Sequence, residues 1–334
     1  MKQKAAIIFI LLTGLISCRK DETNFDGPGV VDIYSDFKII ENFDADKDSV
    51  NFANNETVLF TAKFSKIVKW QIAIKGKVSK ATKIFNGESK AINITNGLWN
   101  GSTTNYPIFG IENCTASLTL NAIPDTFNID VKVTSPKKID GFIIADFENG
   151  LNPQWPKFIQ SGANMDFKVK TDSLAPEGKK YMNMAGTVNW DYLIGLIDFP
   201  AQAYNSNVTF PLLPNPGAVY FNCLIYGVPN TNPSIVLFQL KEDENSDGTF
   251  NANNEDEYDL QINVDWEGWK LVSVKYEDIV TLVNGSPANP KGNGIRNPDK
   301  LGKISMLHLA DPNNGFASTK IDMIVITDNK PLEP

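Results

Sequence analysis

The chain is poor in the side chains that carry redox and metal chemistry. Its 334 residues contain one histidine and three cysteines, which leaves little material for a zinc, haem or iron–sulfur centre. Positive charge is also in deficit. There are 31 Lys and Arg against 39 Asp and Glu, a net charge of −8 and a pI near 4.9. A phosphate-binding surface needs clustered bases, so nucleic acid is not an expected partner. Beyond the N-terminus no apolar run is long enough to span a bilayer. Absent too are GxSxG, HExxH and a glycine-rich phosphate loop. His308 stands alone inside the apolar run Ile304–Leu309 and reads as a packed strand residue rather than a general base. A carboxylate pair for glycoside hydrolysis has no sequence signature, because its ~5–9.5 Å spacing is set by the fold. What remains is a chain that is 42% hydrophobic, well able to fold. Single cores stop growing at roughly 250–300 residues, so its length predicts two domains.

The N-terminus carries an address. Lys2 and Lys4 precede the apolar stretch Ala5–Ile16, the pattern of an export signal. Leu15-Ile16-Ser17-Cys18 resembles the lipobox of bacterial lipoproteins, which implies removal of residues 1–17 and diacylation of Cys18. Each buried methylene of such chains contributes ~0.8 kcal/mol to membrane attachment. No Asp follows Cys18 directly. Lys20-Asp21-Glu22 resembles the surface-export signal of lipoproteins from polysaccharide-degrading Gram-negative bacteria. The resemblance implies an outer-membrane lipid anchor and exposure at the cell surface. Residues 18–36, rich in Asp, Gly and Pro, are expected to form a flexible tether.

From residue 37 apolar positions recur with period two. Val58, Phe60, Ala62 and Phe64 alternate with smaller or polar neighbours, and so do Val68, Trp70, Ile72 and Ile74. Cys114–Leu120 and Phe127–Val133 repeat the pattern. Such strands bury one face and wet the other. Asn54-Asn55, Asn86-Gly87 and Asn96-Gly97 read as turns between them. The pattern predicts an all-β protein opening with an immunoglobulin-like sandwich over 37–137, with Trp70 in its core and Cys114 as a small core residue. Thr134–Lys138 marks a boundary. Residues 138–334 then carry strands expected at 142–147, 166–170, 180–185, 192–198, 218–226, 234–241, 258–264, 269–275, 303–309 and 319–327. Their number suits a jelly roll of two packed sheets.

Ile144–Gly150 followed by Trp155, and Ser173–Lys179 before Tyr181, resemble the opening of galactose-binding-like carbohydrate-binding modules. Trp266–Val274 and Lys320–Ile326 resemble later strands of the same family. With the lipobox and the preceding sandwich, the chain resembles a surface glycan-binding lipoprotein. The resemblance implies a non-catalytic protein that holds polysaccharide or oligosaccharide for a neighbouring transporter or hydrolase. A surface adhesion or assembly protein with a protein partner is the alternative, and a glycan-cleaving enzyme a more distant one.

Sugar rings lay their C–H faces on flat aromatic side chains and give their hydroxyls to polar ones. Trp190, in the polar and aromatic segment Val188–Tyr192, is the first candidate platform, and Tyr192 belongs to the same segment. Trp155, held between Pro153 and Pro156, and Trp266 follow, with Asn189, Asp191 and Arg296 as hydroxyl partners. The family resemblance also implies a structural calcium, for which Asp146, Glu148 and Asp322 occupy the matching positions. A second calcium candidate is Asp243-x-Asn245-x-Asp247-Gly248, the opening of a DxNxDG loop whose twelfth position is Asn254 with Glu255 adjacent.

Overall fold

Period-two burial runs through strands such as Val58–Gly76, Glu112–Leu120 and Ser234–Glu242, whereas Val219–Gly227, Leu301–Leu309 and Phe316–Asp328 are buried on both faces, in a computed structural model that describes residues 36–333 except 190, 206, 232 and 312–314. The signal segment, Cys18 and nearly all of the expected tether lie outside the described residues, as does Trp190. The fold is all-β, as the alternation predicts.

The first seven strands are β1 (Ile39–Ala45), β2 (Ser49–Asn51), β3 (Val58–Gly76), β4 (Thr82–Ile92), β5 (Leu98–Trp99), β6 (Glu112–Leu120) and β7 (Ile123–Ser135). They pair in the order β1-β3-β6-β7-β2, with β4 and β5 also on β3, and β2 runs parallel to β7. The two apolar runs expected as separate strands are one 19-residue strand, β3. No Gly or Pro lies between them, and a bulge between Lys63 and Val68 bends the strand instead of breaking it. Its first part pairs β1 and its second part β6, and the buried Trp99 of β5 stands edge-on to Phe52 and Phe109. Asn86-Gly87 is not a turn. It lies inside β4, where Gly87 pairs Trp70, and a Cβ there would sit 2.2 Å from the indole. Glycine makes room for the buried tryptophan, whose indole N–H donates to Ser89 Oγ at 2.9 Å.

Thirteen further strands follow: β8 (Phe142–Ala145), β9 (Lys157–Ile159), β10 (Asn164–Thr171), β11 (Lys180–Thr187), β12 (Leu193–Pro200), β13 (Val219–Gly227), β14 (Ser234–Glu242), β15 (Glu257–Val264), β16 (Gly268–Lys275), β17 (Leu282–Val283), β18 (Ser286–Pro287), β19 (Leu301–Leu309) and β20 (Phe316–Asp328). The ten strands expected here all form, with ends shifted by a few residues. Two sheets face one another. One has the order β10-β11-β20-β13-β16 with β8 on β20, and the other β15-β14-β19-β12-β9. Met182, Phe221, Ile225 and Ile321 from the first sheet meet Ile197, Phe238, Ile304 and Met306 from the second in one buried core. His308 belongs to that interior. It is fully buried with Nε2 3.1 Å from Ser234 Oγ, and burial holds its imidazole down near 4. Cys114 and Cys223 are sealed in, and burial raises both thiols, that of Cys114 to about 12.

The β1–β7 and β8–β20 assemblies touch through apolar and backbone groups. Tyr106 and Ile139 pack on Leu224, Met323 and Val325 of the outer face of β13 and β20. The Ile108 N–H donates to the Pro176 carbonyl at 2.8 Å.

Candidate functional site

Of the aromatic platform expected from sequence, one member is overturned. Trp155 is only 7% exposed and makes edge contacts with Phe147 and Phe199, at 6.2 and 4.9 Å between ring centres. Its flanking prolines do place it in a loop, but that loop folds under the sandwich and plugs the core. Trp266 is half-buried against the core. Its indole N–H points to the Ile225 carbonyl at 3.4 Å, and Lys270 Nζ covers the ring at 4.6 Å. Tyr192 is 51% exposed. Asn189 beside it reaches the Ser161 carbonyl at 3.5 Å, and Asp191 accepts from the Tyr192 N–H at 2.7 Å. Arg296 does not join them. Its guanidinium donates twice to the Ile279 carbonyl and lies 4.9 Å over the Tyr258 ring. Tyr258 is on the β15 edge and Tyr192 leads into β12, so β14 and β19 separate the two groups.

The outward face of the β15-β14-β19-β12-β9 sheet gathers side chains that sequence reading left unassigned. Ile197, Phe199, Val236, Phe238, Ile304 and Met306 point inward, so their alternate neighbours point out. Register then lays Phe158, Leu196, Leu307 and Leu237 side by side as an apolar row. One residue pair along, Asp198, Ser305, Gln239 and Asp259 form a polar row. Lys303, Lys241 and Glu257 make a charged row beyond it. The polar groups are knitted together. Gln239 donates to Glu257 and Asp259 at 2.7 and 3.2 Å, and Lys241 Nζ donates to Ser305 Oγ at 3.0 Å. Lys241 pairs with Glu257 at 3.4 Å and Lys303 with Asp198 at 3.7 Å. Phe250, from the loop after β14, stands 5.6 Å from Lys241 Nζ. That loop and Asp198, at one end of the polar row, border an open cavity of about 300 Å³ lined also by Pro200, Gln202, Thr249, Phe250 and Lys303. Asp198 Oδ1 is buried there without a hydrogen-bond partner. No motif marks these residues. The available signal was the alternation itself, which fixes the outward set once the strands are paired.

Two acidic groups lie elsewhere. Asp322 of β20 is fully buried, accepts from the Met323 N–H at 2.8 Å, and leaves Oδ2 without a partner. Burial, then the charges of Glu177, Glu148 and Asp146, push its carboxyl up to about 9. Burial and the same Glu148 and Asp146 raise Glu177 to about 7. The charges of Asp146, Glu148 and Glu177 thus bear on Asp322. Among the described residues, however, these acids are not a group whose ligand oxygens lie within 4.8 Å of one another, and Glu148 Oε1 instead accepts from the Lys179 and Lys180 N–H groups at 2.8 and 2.6 Å. Phe147 and Met323, each next to a member, take the left-handed backbone at φ 57° and 49°, a conformation costly for side chains of that size. A Cβ on Gly178 would fall 2.4 Å from the Glu148 carboxylate carbon.

In the DxNxDG loop, backbone N–H groups already hold the side-chain oxygens. Asp243 accepts from Asp247 and Gly248 at 3.1 and 2.7 Å, Asn245 from Asp247 at 2.8 Å, and Asp247 from Thr249 at 2.8 Å. The carboxylates that converge in this hairpin are Glu242, Glu244 and Asp256, a largely buried triad that could hold a metal.

No family model matches the chain, and no curated protein matches it. Several solved structures are similar in shape. One is the family 11 carbohydrate-binding module of the cellulosomal cellulase Lic26A-Cel5E of Clostridium thermocellum, at 16% identity and TM-score 0.39, covering 57% of this chain and 96% of that one. The CBM22-1 xylan-binding domain of Paenibacillus barcinonensis Xyn10C is similar at 13% identity and TM-score 0.32, over 58% and 98% of the two chains. SGBP-B from a xyloglucan utilization locus of Bacteroides uniformis is similar at 13% identity and TM-score 0.34, over 82% of this chain and 69% of that one. At such identities and TM-scores the likeness assigns neither a ligand nor a site.

Proposed function

We propose that the chain is a non-catalytic, lipid-anchored surface protein that holds polysaccharide on the outward face of the β15-β14-β19-β12-β9 sheet. The observation that carries this reading is the juxtaposition of rows on that face. A pyranose offers an apolar C–H face and a rim of hydroxyls. Phe158, Leu196 and Leu237 suit the first and Asp198 and Gln239 the second, with Leu307, Ser305 and Asp259 buried among them as the floor. The rows are one residue pair apart, ~6.8 Å in a strand, which is the scale of one sugar ring. Asp198 Oδ1, buried and unpaired, is an acceptor for a ligand hydroxyl. Phe250 supplies a ring at the end of the cavity. Lipid attachment at Cys18 and export to the outer-membrane surface complete the proposal, with a transporter or hydrolase as the neighbour receiving the glycan. The N-terminal sandwich over 37–137 serves as spacer and the 138–334 module as binder.

Calcium at Asp146, Glu148 and Asp322 belongs to the same proposal. Its support is the buried, unpartnered Asp322 Oδ2 under the charges of Glu177, Glu148 and Asp146, while Glu148 Oε1 and Asp146 Oδ1 already accept backbone N–H groups. Such an ion would neutralise Asp322 and tie β20 to the segment after β8.

Affinity electrophoresis of the purified protein, in gels containing neutral and acidic soluble polysaccharides, tests the reading. Retardation by at least one polymer is expected, and Gln239→Ala and Asp198→Ala should each weaken it about tenfold in protein that circular dichroism shows to be folded. Absence of retardation across a broad panel would overturn the glycan reading. A protein partner is the second reading, favoured by edge strand β9, where Phe158 and Ile159 are 48% and 44% exposed.

A further inference from the structure

We infer that Glu242, Glu244 and Asp256 form a second, separate calcium site that fastens the hairpin carrying Phe250 to the loop over 292–297. One ligand oxygen from each carboxylate lies within 4.8 Å of the others. Calcium–oxygen bonds of 2.3–2.6 Å put oxygens on opposite sides of one ion at most ~5 Å apart, so a single ion can reach all three. Magnesium bonds are shorter and demand near-ideal octahedral geometry, which favours the larger ion here.

Three acids together are not a site unless something asks for an ion. Glu242 is fully buried, and its Oε2 has no hydrogen-bond partner. Its other oxygen is fixed, accepting from the Tyr276 hydroxyl and the Asn297 N–H, both at 2.8 Å. The unpaired oxygen is therefore held in place and cannot swing out to water. Glu255, 3% exposed, also has a buried oxygen without a partner and acts on Glu244. Among the described residues no Lys or Arg ion pair involves the triad. Arg296, the nearby base, is committed to the Ile279 carbonyl and the Tyr258 ring. A buried, uncompensated carboxylate costs several kcal/mol, and a divalent cation removes that cost.

The opposite loop is shaped for the same three residues. Gly292 and Gly294 donate their N–H groups to the two oxygens of Asp256, at 2.5 and 2.8 Å, and Asn293 donates to Glu244 at 3.1 Å. Each carboxylate oxygen has a second lone pair, so these bonds orient the oxygens and leave capacity for a metal. At Gly292 a Cβ would lie 2.4 Å from Glu244 Oε1 and 2.8 Å from Asp256 Oδ1, so only glycine lets the backbone come this close.

The hairpin between Glu242 and Asp256 also places Thr249 and Phe250 on the cavity beside Asp198 and Lys303. Calcium at the triad thus orders one wall of the proposed glycan face. This last step rests on the glycan reading, whereas the ion site does not.

Calcium titrated calorimetrically into the EDTA-stripped protein tests the site without any glycan. A binding event is expected that Asp322→Asn leaves intact and that Glu242→Gln and Asp256→Asn weaken by at least about tenfold. Folded Glu242→Gln and Asp256→Asn proteins that titrate like the parent would overturn the inference. Should those variants not fold, terbium provides a second readout. Tyr276 and Tyr258 bond Glu242 and Asp256 directly, so terbium in the Asp322→Asn protein should show tyrosine-sensitised emission that calcium displaces. No such emission would overturn the inference as well. Polysaccharide retention that is lost in EDTA and restored by calcium supports the link to the cavity, and retention indifferent to calcium refutes that link alone.

Discussion

Gly87 and Trp70 show how far a single residue can be read before its partner is known. Asn-Gly is a strong turn signal, yet here the glycine faces an indole across two paired strands and no turn forms. Gly87→Ala would drive a methyl to 2.2 Å from the ring, and overpacking of this kind costs roughly 1–3 kcal/mol. A chemical-denaturation midpoint lowered with unchanged slope would show it. Trp155 teaches the converse. Its neighbouring prolines were a sound guide to a loop and no guide to which way the ring points. Trp155→Ala should cost ~3–5 kcal/mol through the lost core plug, while Tyr192→Ala, at a half-exposed ring, should leave stability within ~0.5 kcal/mol. His308 carries a pH prediction. Its folded-state pKa is lowered from 6.5 to about 4 by burial, so the unfolded chain takes up a proton before the folded one does. The stability it contributes is complete above pH 6.5 and drains away as the pH falls towards 4, by on the order of 3 kcal/mol. Denaturation of parent and His308→Gln at several pH values checks this, because only the parent should carry that slope.

At the scale of elements, period-two alternation was nearly sufficient. It located strands such as β6 and β14 that bury one face, β13, β19 and β20 being buried on both and found as continuous apolar runs. It misjudged β3 because two runs of equal parity are separated by residues with no power to turn the chain. It did not foresee β9, a three-residue strand too short to alternate. The candidate binding face was legible only after pairing. Gln239 and Asp198 are ordinary polar residues in sequence, and register alone sets them beside Ser305 and Asp259. The acidic hairpin was visible as an excess of charge, but its motif pointed to Asp243, Asn245 and Asp247, whose oxygens bind their own loop. The convergence of Glu242 with Asp256 depends on β14 and β15 pairing, which no spacing rule encodes. Phe250→Ala tests the loop as an element. It should weaken retention on any polysaccharide the protein binds while leaving the thermal transition in place, since the ring stands over a cavity rather than in the core.

At the scale of the whole molecule, the converging triad and the acids around Asp322 predict a common behaviour. On the proposal that these carboxylates take up calcium in the folded chain alone, calcium should raise the melting temperature and EDTA lower it. An ion at a hundredfold excess over its dissociation constant adds about 2.7 kcal/mol per site, readable by scanning calorimetry as a shift of several degrees. The contact of Tyr106 and Ile139 with Leu224, Met323 and Val325 has a practical corollary. Cutting the polypeptide between β7 and β8 would strip a hydrophobic scar bare on the larger fragment, so isolated halves should clump, and any stickiness they display towards polymers would report that wound rather than the native protein's own grip.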